Sequence, residues 1–396
     1  MNHIFAYQSP TRISFGPGVS REAGSAFAAM GARRILAVSG PGPTAVSAGF
    51  REVLASLEAA GLAWVGFPRA SSDPGVGLVD AGERLYRDEG CDAILAYGGG
   101  SPIDCAKGIA ATFAEGRSIA DFMGTGKVLS AATPPLIAVP TTAGTGSEVT
   151  NAAVFILERE GKRKKMGVSG AGLFPRLALV DPGLHVGMPA SLTAATGMDA
   201  LTHAVEAYVS KFHNPISDMY CLEAVRLIGL HLRGAVADGT DAEARSGMAL
   251  ASTLAGVALT QAGLGMVHGF AHPVGALTGT AHGLANAILL PFVMRACAPD
   301  ASGRLAAIGR ALEGRSGGDS TCSYSAAALA AVAALARLGT DIGIPANLGA
   351  AGVPESTLPA ILADAITYRR RKASPHDFSD EELGALLREA WGSSVG

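Results

Sequence analysis

The sequence predicts a two-part fold, an α/β N-terminal domain built on a parallel sheet and an all-α C-terminal domain. Three observations carry this. Short apolar runs alternate with helical stretches as far as residue 181, the pattern of parallel strands joined by right-handed crossovers. Beyond residue 186 the strand pattern stops and only segments of helical length remain. At 396 residues the chain exceeds the size of one ordinary core.

Each element follows from local pattern. RRILAVSG (33–40) is a short apolar run closed by glycine, which suits a strand buried on both faces, and 44–60 follows with amphipathic spacing. AWVGF (63–67) reads as the second strand and 76–88 as the second helix. CDAILAYGGG (91–100) reads as a strand ending in glycines, and 103–114 as the helix after it. PLIAVPTTAG (135–144) is a further strand, and ALVD (178–181) before Pro182 closes the series. The second half contains helical segments at 190–209, 215–234, 241–262, 265–278, 283–297 and 323–342, jointed by Gly, Pro and Asn. The expected domains are therefore 1–184 and 185–396, with the join near 181–189.

Composition narrows the partners. Apolar residues make up 48% and charged residues 16%, which supports large buried cores and argues against disorder. A net charge of −3 gives no general attraction to nucleic acid or to an anionic membrane, so a small-molecule partner is expected. Five scattered cysteines with no CxxC pair indicate neither a disulfide framework nor a thiolate zinc site. The first residues lack a basic stretch followed by an apolar run, and the apolar segments are interrupted by Gly, Thr, Ser and Gln. A cytoplasmic protein without membrane spans is the expectation.

Two loops carry nucleotide chemistry. Gly98-Gly99-Gly100-Ser101 follows a strand and opens a helix, where free backbone N–H groups and the helix dipole favour an anion. Thr141 to Glu148 (TTAGTGSE) also follows a strand, and two such loops at the carboxyl ends of one sheet suit a dinucleotide. The first strand ends Val38-Ser39-Gly40, with no carboxylate to hold a ribose 2′-hydroxyl or to repel a 2′-phosphate. NAD(H) and NADP(H) both stay open, and the missing carboxylate favours NADP(H).

The helical half carries metal chemistry. Asp199 and His203 lie four apart, which stacks both side chains on one helix face. His268 and His272 repeat the spacing, and His282 follows a Gly-rich turn. Imidazoles and a carboxylate in apolar helices are costly unless paired or metal-bound. The donor types favour Fe²⁺ or Zn²⁺ over Mg²⁺ or Ca²⁺. His3, His185, His213, His231 and His376 read as ordinary hydrogen-bonded or surface histidines.

With these residues in place, the chain resembles the iron-containing (group III) alcohol dehydrogenases, the family that includes lactaldehyde reductase. The matching strings include GGGSPIDCAK (98–107), PTTAGTGSEVTN (140–151), GMDALTHAVEAY (197–208), HGFAHPVGA (268–276) and HG (282–283), in the family's order. The resemblance implies a dehydroquinate-synthase-like fold, a homodimer, and hydride transfer between a small alcohol and its carbonyl. It assigns metal binding to Asp199, His203, His268 and His282, and makes His272 the candidate for proton relay. It places Gly98, Gly99, Gly100, Ser101, Asp104, Thr141, Thr142 and Ser147 in the cofactor loops, and Lys165 near the cofactor ribose. The stretch EREGKRKK (158–165) reads equally as a solvated hairpin tip. Asp73 stands where many relatives carry Asn, and Gly40 where NAD(H)-preferring relatives carry Asp. Asp199 is retained, whereas the metal-independent maleylacetate reductases typically carry Asn there. Two other readings compete: a metal- and NAD-assisted cyclase-lyase resembling dehydroquinate synthase, and a non-catalytic nucleotide-binding protein.

Overall fold

The computed structural model describes residues 4–70, 72–129, 132–159, 161–314 and 323–395. They form two compact units. One comprises Ser9–Thr142 and Gly146–His185; the other comprises the described parts of Met1–Gln8 and Val186–Gly396 together with Ala143–Thr145.

The first unit runs β1 (Arg12–Phe15), α1 (Ala23–Ala29), β2 (Arg34–Ser39), α2 (Ala48–Ala59), β3 (Ala63–Phe67), α3 (Val76–Asp88), β4 (Ala93–Gly98), α4 (Gly100–Glu115), β5 (Leu136–Pro140), β6 (Ala152–Arg159), β7 (Lys162–Ser169) and β8 (Leu177–Val180). Six strands make one parallel sheet in the order β1-β8-β5-β4-β2-β3. Both faces are covered, as the continuous apolar runs require. Leu36, Val38, Ile94, Ala96 and Ala138 face α3, α4 and the β6–β7 hairpin, while Ile35, Ala37, Leu95, Ile137 and Val139 face α1 and α2. This strict alternation is the period of two that a pleated strand imposes.

The chain moves outward from β2 to β3 and then returns to place β4 on the other side of β2. Strand order thus reverses between β2 and β4, and in open α/β sheets the crevice at the carboxyl ends of such a pair is where ligands bind. The Gly98–Ser101 turn and Gly40 both sit at that end, since Ser39 and Tyr97 are paired in register.

Some elements escaped the sequence pattern. β1 is four residues long and mostly exposed, so it carries no apolar run. α1 is seven residues long, below the length at which helical periodicity is legible. β6 and β7 pair antiparallel as eight-residue strands, where the pattern suggested only a hairpin tip.

The second unit is helical: α5 (Ala190–Val209), α6 (Pro215–Ala237), α7 (Ala242–Ala262), α8 (Met266–Thr278), α9 (His282–Leu312), α10 (Tyr324–Asp341), α11 (Leu358–Ile366) and α12 (Asp380–Gly392). No strand occurs in it among the described residues. α5 is central, packed against α6, α7 and α9, and fifteen of its twenty residues are buried, so it has no solvent face to spare for charge. α9 runs well past its expected end at 297 and bends at Ala301, beyond Pro291 and Pro299. It is long and apolar enough to cross a membrane, but 72% of that apolar window is buried within the protein, the mark of a core helix. α11 and α12, which the sequence reading did not identify, close the unit against α8 and α9.

Candidate active site

In the helical unit, α5 supplies Asp199 and His203, α8 supplies His268 and His272, and α9 supplies His282. One ligand atom each from Asp199, His268 and His282 lies within 4.8 Å of the other two. His203 falls outside that tight set and flanks it: Nε2 is 3.8 Å from Asp199 Oδ1, and the ring stacks on His268 at 4.8 Å between centroids. Nδ1 of His203 faces the carbonyl of Gly144 at 3.3 Å, so that carbonyl orients the ring. His272 stacks on His282 at 5.3 Å and meets the Tyr368 ring edge-on at 5.8 Å. It is half-buried, which suits a group that exchanges protons with its surroundings.

The close approach of α9 to α5 depends on Gly283. A Cβ at that position would stand 2.3 Å from the Ala195 carbonyl oxygen and 3.3 Å from Asp199 Cβ. Glycine after His282 is therefore what lets the imidazole reach the carboxylate.

Behind the histidines stands a residue that the sequence reading missed. Glu206, one turn beyond His203 on α5, is 2% exposed. Its Oε2 accepts from His268 Nδ1 at 2.6 Å, and its Oε1 accepts from the Val267 N–H at 2.7 Å. The first turn of α8 has no side-chain cap of its own, so Glu206 satisfies a free N–H there and complements the helix dipole. Burial pushes its carboxyl up to about 7, opposed by the N–H groups of Gly265, Val267 and His268. A carboxylate on Nδ1 fixes the His268 tautomer and leaves the Nε2 lone pair facing Asp199 and His282, the pattern of carboxylate–histidine–metal arrangements. The spacing of Glu206 from His203, three residues on a helix, was a signal available in the sequence.

Asp199 and His268 are 2% and 1% exposed, so an unpaired carboxylate among imidazoles would be costly to bury. One carboxylate, converging imidazoles and a supporting carboxylate fit a divalent transition metal.

In the α/β unit, Gly98 has φ 142°, and a Cβ there would stand 2.7 Å from Pro102. At Gly99 a Cβ would meet Thr142 Oγ1 at 3.0 Å. The two glycines thus let the turn close onto α4 and the β5 loop, with backbone N–H groups at the start of α4. Thr141 N–H donates to the Gly98 carbonyl at 2.9 Å, which ties the two loops together. Ser101 Oγ accepts from the Asp73 N–H at 3.2 Å.

Asp104 and Ser147 spend polar atoms within the protein. Ser147 Oγ donates to Asp104 Oδ1 at 2.5 Å, and Val154 N–H donates to Oδ2 at 2.9 Å. Lys107, also missed from sequence, is 1% exposed and donates to Ser147 Oγ, to both oxygens of Thr150 and to the Ala152 carbonyl at 2.9–3.0 Å. Burial pulls its ammonium down to about 8. These side chains lock the loop after β5 to α4. Lys165 does not sit at a solvated tip: its side chain is 7% exposed and its ammonium lies 2.6 Å from Asp73 Oδ1. Asp73 has φ 53°, the only positive φ outside glycine among the described residues. Such strain clusters at ligand-binding sites.

Residues 10–182 match the family described as iron-containing alcohol dehydrogenase, and residues 193–391 match its C-terminal part. The chain belongs to the iron-containing alcohol dehydrogenase family. It is 40% identical to 1,3-propanediol dehydrogenase of Klebsiella pneumoniae over 98% of this chain and 99% of that protein. It is 36% identical to lactaldehyde reductase of Escherichia coli K12 over 86% of this chain and 87% of that protein. Among solved structures, it is similar to sulfoacetaldehyde reductase of Bifidobacterium kashiwanohense in complex with NAD⁺, with a TM-score of 0.87 and 30% identity over 99% of this chain and 100% of that one. The protein is thus an alcohol dehydrogenase or aldehyde reductase, and the cyclase-lyase and non-catalytic readings are set aside.

Proposed function

We propose that this dehydrogenase interconverts small aliphatic alcohols or diols and their aldehydes, with Fe²⁺ held by Asp199, His203, His268 and His282. The observation that carries the reading is the convergence of Asp199, His268 and His282 within 4.8 Å, with Glu206 directing His268 from behind. The 40% identity to a 1,3-propanediol dehydrogenase supports the choice of a small alcohol or diol. When bound, the metal supplies Lewis acidity toward the substrate oxygen and the nicotinamide supplies or accepts hydride.

The chain's own residues do the rest. Asp199 provides the charge-neutralising ligand, and the imidazoles provide neutral donors. Glu206 keeps the His268 proton on Nδ1. His272, half-buried beside His282, is the proton-relay candidate for the substrate hydroxyl. The Gly98–Ser101 turn offers backbone N–H groups to a pyrophosphate. Gly98, Thr141 and Thr142 shape the crevice, while Lys107, Asp104 and Ser147 keep its loops fixed. Lys165, the lysine on the ribose side, is held by its ion pair with Asp73. Gly40, at the carboxyl end of β2, presents no carboxylate, which favours acceptance of NADP(H).

The test is consumption of NADH and NADPH with a panel of short aldehydes after reconstitution with Fe²⁺ or Zn²⁺. Asp199→Asn is expected to lose bound metal and at least 99% of turnover, roughly two or more orders of magnitude. A metal-free Asp199→Asn protein with parental activity would overturn the ligand assignment.

A further inference from the structure

Asn286 lies one turn beyond His282 on α9 and is fully buried. Its Nδ2 is 2.6 Å from Asp199 Oδ1, 3.2 Å from His268 Nε2 and 3.2 Å from His282 Nε2. One amide nitrogen therefore touches every member of the compact set, while Oδ1 has no hydrogen-bond partner among the described residues. A buried oxygen without a donor is unfavourable, and an apolar residue of the same size would avoid it. The polar contacts of the Asn286 side chain are those at its amide nitrogen. Its orientation is dictated by Asp199, because turning the amide over would set two acceptor oxygens against each other.

We propose that Asn286 is a positioning residue of the metal centre, whose amide donates to Asp199 and holds that carboxylate in its ligating rotamer. The proposal rests on the reading of Asp199, His268 and His282 as ligands. A cation taking up the two imidazole nitrogens displaces the amide from them, and of the three contacts the one to Asp199 is the one that can persist beside it. A carboxylate oxygen has lone pairs for an amide and a metal together, whereas each imidazole Nε2 has a single lone pair. The amide thereby sets both the direction of Asp199 and the share of its charge that a cation receives. His282 and Asn286 sit at i and i+4 on one helix, so a ligand and the residue that orients a second ligand move together.

The test uses the full-length protein stripped of metal and titrated with Zn²⁺ and Co²⁺ against a chelator. Asn286→Leu, close in size and without a donor, is expected to weaken both metals by roughly 10- to 100-fold, the usual effect of losing a group that orients a ligand. Its Co²⁺ form is also expected to show altered visible absorption, because the carboxylate no longer meets the metal from one direction. Asn286→Ser, which keeps a small donor, is expected to fall between Leu and the parent. A folded Asn286→Leu protein with affinity within twofold of the parent and an unchanged Co²⁺ spectrum overturns the proposal. If the Leu variant does not fold, Asn286→Ala takes its place in the same comparison. Asp199→Asn in the same titration separates the two levels: its retention of metal would sink the ligand assignment, whereas its loss of metal beside a normal Asn286→Leu would sink this inference alone.

Discussion

Glu206→Gln isolates the contribution of one buried carboxylate to the centre. In the parent, both Glu206 oxygens accept, one from His268 Nδ1 at 2.6 Å and one from the Val267 N–H at 2.7 Å. A glutamine of the same shape has a single acceptor oxygen, so its NH₂ must face either the imidazole or the backbone N–H. If it faces the imidazole, the His268 proton moves to Nε2 and the lone pair aimed at the centre is lost. If it faces Val267, the first turn of α8 loses its cap and His268 shifts with it. Either outcome removes a charge-assisted hydrogen bond worth about 1.5–3 kcal/mol. At 1.4 kcal/mol per decade, that sets an upper bound of roughly 10- to 150-fold in metal affinity, because the bond is present in the metal-free protein too. The assay is chelator competition on metal-stripped protein, with circular dichroism to establish folding. Affinity within twofold of the parent in a folded Glu206→Gln protein would refute the claim that Glu206 acts through His268.

Gly40→Asp is expected to raise the ratio of activity with NADH to activity with NADPH. A Cβ at this position meets nothing nearer than Thr44 Oγ1 at 3.5 Å, so the side chain has room. Two like charges roughly 5 Å apart at an effective dielectric near 40 repel by about 1.7 kcal/mol, more than tenfold in KM for NADPH. An unchanged ratio of kcat/KM for the two cofactors would count against placing the adenosine ribose there. Alkaline stability offers a separate check. Burial pushes the thiols of Cys91, Cys105 and Cys297 up to about 11, 12 and 12 from an ordinary 9.0, and that of Cys221 up as well. The unfolded chain then loses those protons first, so the stability they hold is complete below pH 9 and falls as pH rises toward 11–12. Each thiol contributes about 1.4 kcal/mol per pH unit in that window. Lys107, pulled down to about 8, acts in the opposite sense between 8 and 10.5, and the four thiols outweigh it. The denaturant midpoint is expected to drop between pH 9 and 10.5, and a rise would refute the account.

Much of the architecture was legible because buried parallel strands and buried helices write long apolar patterns. The runs at 33–40, 91–100 and 135–144 each became a strand flanked by helices on both faces. Of the elements that stayed hidden, β1 is an exposed edge and α11 spans only nine residues, whereas α12 does carry a helical signal, a Ser379–Glu382 capping box ahead of Leu383, Leu386, Leu387 and Ala390 on one face, which the reading passed over. The histidines and Asp199 stood out because charged and imidazole groups are rare inside apolar helices. Asn286 and Lys107 did not, since a single Asn or Lys in a helix is ordinary until its burial and partners are known; Glu206 carried a spacing signal from His203 but no mark of the partner it would meet.

Residue types and spacing alone determined that an acid and several imidazoles would share helix faces, and that two glycine-bearing loops would follow strands. Helical and pleated periodicities are local, so one stretch of chain carries them complete. Tertiary packing decided what those faces meet. Gly283 lets α9 approach α5, Glu206 reaches from α5 to the start of α8, and Lys165 folds onto Asp73 instead of into water. Each of those contacts joins residues dozens of positions apart, and no periodicity in a linear chain encodes which distant side chain will fill a given hydrogen-bonding vacancy.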